Sequence, residues 1–451
     1  MVGVFRSIPI RSRLTRFIFG HPHGVSHHNY TMLSSRGVRS AGMLDIPWRY
    51  APTQSYDKDT NPDGLISFAM AENIPMRKEI VKYINEKVTF TEDSIGYRPK
   101  PSTAARLPAA LADHLNRNFK PHVPVDPNTI LVASSPTALG GMLGYSLAEP
   151  GEGILVSRPM YGRFELDYGV EAGVEIVYAD TGPVEAFTPA AVEKYEAALK
   201  KAEEKGTKIR AVLVVNPNNP VGRCYPPETL KELLKFCQKH QLHYISDEVY
   251  GLSVFDSGDP DAVPFTSVLS LDLSGLIDPK LVHVLYGFSK DFASGGLHLG
   301  FLISQNEQLQ KACKAILRLH PASRAAVTIG TTILEDQEFV DSIIAKARNG
   351  LAASYKLATS TLEREGIRYV KGGNAGFFIY IDLSPYLPTD PGLSAQQREF
   401  SLAQKLVDAG VFLHPGEEHS KEPGWFRLVF SQEEEVLVEG LRRIFSVLKG
   451  K

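Results

Sequence analysis

Residues 210–250 read RAVLVVNPNNPVGRCYPPETLKELLKFCQKHQLHYISDEVY and contain two strand-like runs with a helical stretch between them. The runs RAVLVVN at 210–216 and HYISD at 243–247 are apolar and β-branched, which is typical of buried strands. Between them, PPETLKELLKFCQKH at 226–240 opens with a helix start signal and repeats apolar residues at helical spacing. This alternation predicts a βαβ unit and therefore a parallel sheet covered by helices.

The pattern continues on both sides of this unit. GILVS at 153–157 and LVHVLYG at 281–287 are two further apolar runs that predict strands of the same sheet. From about 307 to 365 the sequence is helical and charged, which predicts one long connecting helix. GFFIYIDL at 376–383 and WFRLVFS at 425–431 then predict strands of a smaller domain, which an amphipathic helix closes.

At 451 residues the chain is long for one domain, and we predict an α/β protein with two joined domains. A large, mostly parallel sheet domain flanked by helices is expected over 76–325, and a smaller α+β domain over 326–451. Residues 45–75 are expected to pack on the smaller domain, and residues 1–44 to form a disordered basic extension.

Composition limits the classes of function. The chain is 43% apolar and carries 49 basic against 51 acidic side chains, so neither nucleic acid nor an anionic membrane is the expected partner. Three scattered cysteines are too few for a disulfide framework or a CxxC metal site, which fits a reducing compartment. No apolar stretch approaches the roughly 20 residues that span a bilayer, so a soluble protein is expected.

The N-terminal segment has a biased composition. It is rich in arginine and serine and has no acidic residue before Asp45. Such a composition is typical of an organellar transit peptide, which would place the protein in the mitochondrion. The alternatives are a disordered basic tail and an upstream extension whose functional start is Met32. Because the segment lacks a long amphipathic period, we favour these alternatives and a cytoplasmic location.

Polar residues stand where the predicted strands end, and ligands of open parallel sheets bind beyond those ends. Taken singly, NPNNPVG could be a turn, Asp247 a helix cap and Lys290 a solvated lysine. Together, a lysine and a carboxylate at neighbouring strand ends suit Schiff-base chemistry. Pyridoxal phosphate requires in addition an acidic partner for its pyridine nitrogen, and Asp247 is the candidate.

The order of NPNNPVG, SDEVY, SKD and a late FR resembles the class I, fold-type I pyridoxal-phosphate aminotransferases. Four further stretches are similar to 1-aminocyclopropane-1-carboxylate synthases and the fungal aminotransferase-like proteins grouped with them. They are NPDGLISFAMAEN at 61–73, LAEPGEGILVSRPMYGRF at 147–164, GGNAGFF at 372–378 and EPGWFRLVF at 422–430. The resemblance runs from about residue 45 to the C-terminus.

The resemblance implies roles at a pyridoxal 5'-phosphate site. Lys290 corresponds to the lysine that forms an aldimine with the cofactor and moves the substrate Cα proton, and Asp247 to the partner of the pyridine nitrogen. Asn219 and Tyr250 correspond to the residues that hydrogen-bond the cofactor ring oxygen, contacts that depress the pKa of the aldimine. Tyr161 corresponds to the aromatic residue that stacks on the ring.

The resemblance also implies contacts to an amino acid substrate. Arg427 corresponds to the arginine that clamps the α-carboxylate, for which its planar fork is suited, and Asn219 lies in the same group of contacts. Glu72 corresponds to a glutamate near the substrate amine. Tyr97 lies in the region of a tyrosine that reaches the neighbouring subunit's site, so a homodimer is implied.

The phosphate site is where the sequence departs from the family. The expected ligands are hydroxyl side chains, two of them at a helix N-terminus: Ser135, Thr137 and Ser289. Pro136 lacks an amide donor, and Gly287 stands where the synthases have serine. His298 stands where the family has arginine. We expect His298 to be a working but weaker phosphate ligand, because its charge depends on pH.

The motifs leave the reaction open, since loss of the Cα proton gives a carbanion with several fates. Transamination is favoured as the commonest reaction of the superfamily. A β-elimination that cleaves a carbon–sulfur bond and a cyclisation to the cyclopropane amino acid use the same residues. A protein that retains the fold without turnover is a further alternative.

Overall fold

A computed structural model describes residues 32–45, 55–416, 420 and 422–450. The α-helices of these residues are α1 (Ser35–Gly42), α2 (Arg77–Lys87), α3 (Pro101–Asn118), α4 (Pro136–Leu147), α5 (Phe164–Gly169), α6 (Gly182–Glu185), α7 (Ala191–Glu204), α8 (Pro227–His240), α9 (Glu307–Ile316), α10 (Arg324–Glu335), α11 (Gln337–Arg364), α12 (Ala395–Asp408) and α13 (Glu434–Leu448). The strands are β1 (Ile66–Ser67), β2 (Ile130–Ala133), β3 (Gly153–Arg158), β4 (Glu175–Asp180), β5 (Ile209–Val215), β6 (His243–Asp247), β7 (Val282–Gly287), β8 (Gly300–Ser304), β9 (Arg368–Tyr369), β10 (Phe378–Asp382), β11 (Val411–Phe412), β12 (His414–Pro415) and β13 (Trp425–Val429).

The main sheet has the strand order β2-β8-β7-β6-β5-β3-β4. Its strands run parallel to one another except β8, which is antiparallel to both of its neighbours. The four strands predicted from apolar runs are β3, β5, β6 and β7. The predicted fold class, a large and mostly parallel sheet flanked by helices, is confirmed.

Helices bury both faces of this sheet. In β5, Val212 and Val214 face one apolar core, whereas Ala211, Leu213 and Val215 face the other. Side chains of α3, α7 and α8 complete the first core, and those of α4, α5 and α9 the second. Double burial explains why these strands are uninterrupted apolar runs in the sequence. It leaves the loops at the strand ends to carry the polar chemistry.

A smaller four-stranded sheet has the order β12-β13-β10-β9, and it is accompanied by the parallel pair β1 and β11. Strand β1 comes from the N-terminal part of the chain, where Ile66 is paired with Val411. Directly after β1, the carbonyl of Phe68 accepts a 3.0 Å hydrogen bond from the amide of Val429. The segment before α2 is therefore attached to elements of the C-terminal region.

The prediction of one continuous helix from about 307 to 365 is wrong, because three helices, α9, α10 and α11, occupy this stretch. Pro321 lies in the first break. Ser323 caps α10 by accepting a 3.1 Å hydrogen bond from the amide of Ala326, and Asp336 caps α11 through a 3.0 Å bond from Phe339. Such caps satisfy amides that have no partner inside the helix, so they fix where each helix begins.

Helix α11 belongs to two apolar cores. Val340 and Ile343 in its first part pack in the core of the large sheet, while Leu351 and Tyr355 pack in the core of the smaller one.

No helix among the described residues has both the length and the apolar surface needed to cross a membrane.

The described part of the N-terminal extension is the segment 32–45. It contains α1, whose N-cap Ser34 accepts a 3.1 Å hydrogen bond from the amide of Gly37. A helix therefore stands in a segment for which the sequence predicts disorder. Most of the predicted extension, residues 1–31, and residues 46–54 lie outside the described residues.

Candidate active site

A cavity of about 400 Å³ lies at the carboxyl ends of the parallel strands. Ten of the residues predicted from the sequence line it: Ser135, Thr137, Tyr161, Asn219, Asp247, Tyr250, Ser289, Lys290, His298 and Arg427. A larger groove of about 1000 Å³ lies at the opposite ends of the strands. None of these ten residues, all of which the structure describes, lines that groove. The topology thus brings most of the predicted site together, as expected for an open parallel sheet.

Lys290 follows β7 and extends into the cavity. Its Nζ donates a 2.8 Å hydrogen bond to the carbonyl of Ala71 and lies 5.7 Å from the ring centre of Tyr250. Burial and the charge of Arg427 lower the pKa of Lys290 to about 8, against the opposing charges of Glu72 and Asp247. A lysine in this state is unprotonated more often near neutral pH, which a nucleophile and a proton carrier both require.

Asp247 is the last residue of β6 and presents its carboxylate to the same cavity. Burial raises its pKa to about 6, although the amide of Val249 and the charge of Lys290 favour the ionised form. The Val249 amide donates a 3.3 Å hydrogen bond to Oδ1. The carboxylate is therefore mostly ionised above pH 6 and can hold a proton on a basic ring nitrogen.

Arg427 on β13 is buried beside Asn219. Its Nη1 donates a 3.0 Å hydrogen bond to Oδ1 of Asn219, and its Nη2 a 2.6 Å bond to the carbonyl of Ala69. These two contacts fix the guanidinium plane at the wall of the cavity. A fixed planar fork of this kind suits bidentate binding of a carboxylate.

The N-terminus of α4 forms another wall of the cavity. Ser135 caps the helix by accepting a 3.0 Å hydrogen bond from the amide of Ala138, and its hydroxyl proton can still be donated. Thr137 lies in the first turn, where the helix dipole favours an anion. Ser289 and His298 line the same cavity from the β7–β8 connection. This set of hydroxyls and an imidazole at a helix N-terminus suits a phosphate group.

Two of the departures from the family, Pro136 and Gly287, lie next to each other in the structure. A Cβ placed on Gly287 would lie 2.9 Å from Cγ of Pro136 and 3.0 Å from the carbonyl oxygen of Leu299. The proline ring thus occupies the volume next to position 287 that a serine side chain would enter. Pro136 and Gly287 form a matched pair.

We therefore predict that Gly287→Ser lowers the free energy of unfolding by about 1–3 kcal/mol, the usual cost of overpacking. Urea denaturation of the two proteins measures it. Gly296→Ser, in the connection that follows β7, is the matched control, because no described heavy atom outside its own chain neighbours lies within 4 Å of a Cβ there. Adding Pro136→Ala to Gly287→Ser should restore part of the loss; equal stability of wild type and Gly287→Ser would contradict the steric account.

Two predicted residues, Glu72 and Tyr97, are not among the described residues that line the cavity. The carboxylate of Glu72 accepts a hydrogen bond from Arg77, and its carbonyl accepts a 2.6 Å bond from Ser431. Its negative charge nevertheless acts on Lys290, where it partly offsets the lowering of the pKa by burial and by Arg427. Tyr97 is fully exposed.

Sequence reasoning missed several further lining residues, among them Met70, Arg163, Asp167 and His414. Asp167 is enclosed between the cavity and α4, and burial together with the charge of Asp247 raises its pKa to about 7. His414 is paired with Arg427 across β12 and β13, so both side chains lie on one face of the small sheet. Strand β12 has two residues and gives no alternating pattern that could have revealed it.

The residues present fit pyridoxal phosphate. A lysine of lowered pKa and a carboxylate lie at neighbouring strand ends, and hydroxyl groups surround a helix N-terminus in the same cavity. A volume of about 400 Å³ lies within the usual range for cofactor pockets. Among the described residues, no group of three or more potential metal ligands is present.

Comparisons with known proteins agree with this geometry. Residues 78–444 match the family described as aminotransferase class I and II. The chain is 32% identical to human 1-aminocyclopropane-1-carboxylate synthase-like protein 1 over 434 residues, 93% of this chain and 84% of that protein. It is 34% identical to the probable aminotransferase gliI of Aspergillus fumigatus over 397 residues, 85% of this chain and 89% of that protein.

Solved structures show the same fold. An aspartate aminotransferase double mutant from Thermus thermophilus matches with a TM-score of 0.66 at 22% identity, covering 92% of this chain and 97% of that one. An aromatic aminotransferase from Pyrococcus horikoshii matches with a TM-score of 0.67 at 22% identity, covering 88% and 97%. The chain therefore belongs to the class I and II aminotransferases, a family of pyridoxal-phosphate-dependent enzymes.

Proposed function

We propose that the protein transfers the α-amino group of an amino acid through Lys290, with Arg427 as the carboxylate clamp. The observation that carries this proposal is that the buried amine of Lys290 lies in one cavity with Asp247 and Arg427, and its burial also lowers its pKa. When bound, pyridoxal phosphate supplies an electron sink for the substrate Cα and accepts its amino group.

Each residue of the cavity would have a separate role in the reaction. Lys290 takes the proton from the substrate Cα and returns it, because its amine is unprotonated for part of the time near neutral pH. Asp247 would hold a proton on the pyridine nitrogen of pyridoxal phosphate. Asn219 and Tyr250 would donate hydrogen bonds to the cofactor ring oxygen, and Tyr161 would pack against the ring. The cavity keeps these groups away from bulk water, which strengthens their interactions.

Ser135, Thr137, Ser289 and His298 would hold the phosphate. Because a guanidinium can bind a phosphate through two parallel hydrogen bonds and an imidazole cannot, cofactor binding should be tighter in His298→Arg than in wild type. We expect the two dissociation constants to differ by about tenfold, as one further charge-assisted contact of about 1.4 kcal/mol implies. Equilibrium dialysis with pyridoxal phosphate measures both constants, and equal values would contradict a weaker phosphate contact at His298.

We propose transamination over two reactions that use the same residues, β-elimination and cyclisation. One relative is named as a 1-aminocyclopropane-1-carboxylate synthase-like protein and another as a probable aminotransferase, and the second name supports transamination. The test incubates the holoenzyme with a panel of amino acids, S-adenosylmethionine and cysteine conjugates. Keto acid without ammonia supports transamination. Ammonia with thiol, or a cyclic product, would assign one of the other reactions.

We also propose that the enzyme works as a homodimer. What supports this is Tyr97, which is fully exposed although its counterpart in the family contributes to the neighbouring subunit's site. Mixing Tyr97→Phe subunits with Lys290→Ala subunits tests the proposal, since hybrid dimers carry one site without either substitution if Tyr97 crosses the interface. Analytical ultracentrifugation gives the oligomeric state independently.

The division into a large domain over 76–325 and a small domain over 326–451 stays a proposal, as does the packing of residues 45–75 on the small domain. The pairing of β1 with β11 supports the second point. The shared helix α11 suggests that the two domains meet within it.

A cytoplasmic location is likewise proposed, and cell fractionation with an antibody tests it against the mitochondrial alternative.

A further inference from the structure

Asp291 directly follows Lys290, and its buried carboxylate accepts three hydrogen bonds. The amide of Leu252 donates to Oδ2 at 3.0 Å, the hydroxyl of Ser253 to Oδ1 at 2.7 Å, and the hydroxyl of Tyr286 to Oδ2 at 3.0 Å. Hydrogen bonds to a buried carboxylate are among the stronger ones in proteins. Asp291 is therefore held firmly on two sides.

The donors belong to two different parts of the site. Leu252 and Ser253 lie in the turn that follows Tyr250, and the amide of Ser253 donates a 3.0 Å hydrogen bond to the Tyr250 carbonyl. Tyr286 belongs to β7, which leads into Lys290. One carboxylate thus connects the turn that carries Tyr250 with the loop that carries Lys290.

We propose that Asp291 is a positioning residue that fixes the turn of Tyr250 relative to Lys290. This inference rests on the proposed function, in which the Tyr250 hydroxyl donates to the cofactor ring oxygen. Tyr250 is buried and its ring packs edge-on against Phe377 and Phe378, so the position of its turn determines where its hydroxyl lies. The hydrogen bonds from Ser253 and Leu252 set that position.

The groups around Asp291 affect the ionisation of its carboxylate. Arg348 on α11 faces Asp291 and also donates a 2.9 Å hydrogen bond to the carbonyl of Leu252. Nε2 of His114 on α3 lies 3.3 Å from the Tyr286 hydroxyl. Burial raises the pKa of Asp291 to about 6, whereas the hydrogen bonds from Ser253 and Leu252 and the charge of Arg348 favour its ionised form.

The test compares two variants that each remove one hydroxyl donor to Asp291. Ser253→Ala removes one of the two hydrogen bonds from the turn of Tyr250, whereas Tyr286→Phe removes the hydrogen bond from β7 and leaves both bonds from that turn in place. The readout is the pH midpoint of the visible absorption of enzyme-bound pyridoxal phosphate, followed with urea denaturation. A merely structural role would alter the urea midpoint and leave the absorption midpoint in place.

We expect Ser253→Ala to raise the absorption midpoint by about 0.5–1 pH unit, because a displaced Tyr250 hydroxyl no longer stabilises the deprotonated form. Tyr286→Phe should shift it by less than half as much. In a Tyr250→Phe background, Ser253→Ala should give no further shift, since coupled residues are not additive. Asp291→Asn should shift the midpoint in the same direction as Ser253→Ala.

Two results would overturn the proposal alone: equal shifts in Ser253→Ala and Tyr286→Phe, or a Ser253→Ala shift that persists in the Tyr250→Phe background. A wild-type protein without visible absorption in the presence of pyridoxal phosphate would instead overturn the proposed function, and this inference with it. The two failures are therefore distinguishable.

Discussion

Lys290→Ala is expected to remove the visible absorption band that depends on covalent attachment of the cofactor to Lys290, and to lower kcat for transamination by about 10⁴-fold. In the proposed function, one amine would serve as the covalent anchor of the cofactor and as the carrier of the Cα proton. Its lowered pKa, the result of burial and of the charge of Arg427, suits both tasks. Absorbance spectra and initial rates with saturating amino acid measure the two effects.

The control is another lysine changed in the same way. Lys235 on the surface of α8 forms an ion pair of 2.7 Å with Glu232, and Lys235→Ala should leave both the spectrum and kcat unchanged. Exogenous primary amines should restore part of the activity of Lys290→Ala, since they can carry the proton. A spectrum of Lys290→Ala identical to that of wild type would contradict the role of Lys290 as the anchor of the cofactor.

Arg427→Lys is expected to lower kcat/KM for amino acids by about 10²–10³-fold, mostly through KM. A lysine keeps the charge but cannot form the bidentate contact, and it leaves the acceptor atoms of Asn219 and Ala69 without their present donors. Losing one partner of a buried, hydrogen-bonded charge pair costs about 2–5 kcal/mol, which corresponds to this range. Steady-state kinetics at several substrate concentrations separate kcat from KM.

A substrate analogue makes this prediction specific for the carboxylate. The amine obtained by removing the α-carboxylate from the best amino acid should react poorly with both proteins, with rates that differ by less than about threefold. An equal loss for the amino acid and for the amine would mean that Arg427→Lys disturbs the fold of the site. The clamp role would then be wrong.

The central strands could be predicted because double burial makes them continuous apolar runs, as in β5 and β7. The breaks between α9, α10 and α11 were missed because helical periodicity continues across them. Only local signals mark the breaks, namely Pro321 and the caps Ser323 and Asp336. Periodicity reports which face is buried, whereas caps decide where a helix begins.

The cavity-lining residues that follow strands could be predicted because topology brings the carboxyl ends of parallel strands to one edge, as for Asp247 and Lys290. His414 and Asp167 could not, because both reach the cavity through tertiary packing of short elements without a periodic signal. The match of Pro136 with Gly287 could not be predicted either, since it depends on close packing of residues far apart in the chain, where a Cβ at position 287 would lie 2.9 Å from the proline ring.

The central claim, amino-group transfer through Lys290, is tested most directly by a half-reaction. Holoenzyme is mixed with a nitrogen-labelled amino acid in the absence of any keto acid acceptor, and products are quantified per subunit. The account predicts one equivalent of keto acid, label retained on the enzyme-bound cofactor, loss of the visible absorption and no free ammonia in wild type, and keto acid formation about 10⁴-fold slower in Lys290→Ala. Labelled ammonia released in continuing turnover, or keto acid formed by Lys290→Ala at the wild-type rate, would contradict it.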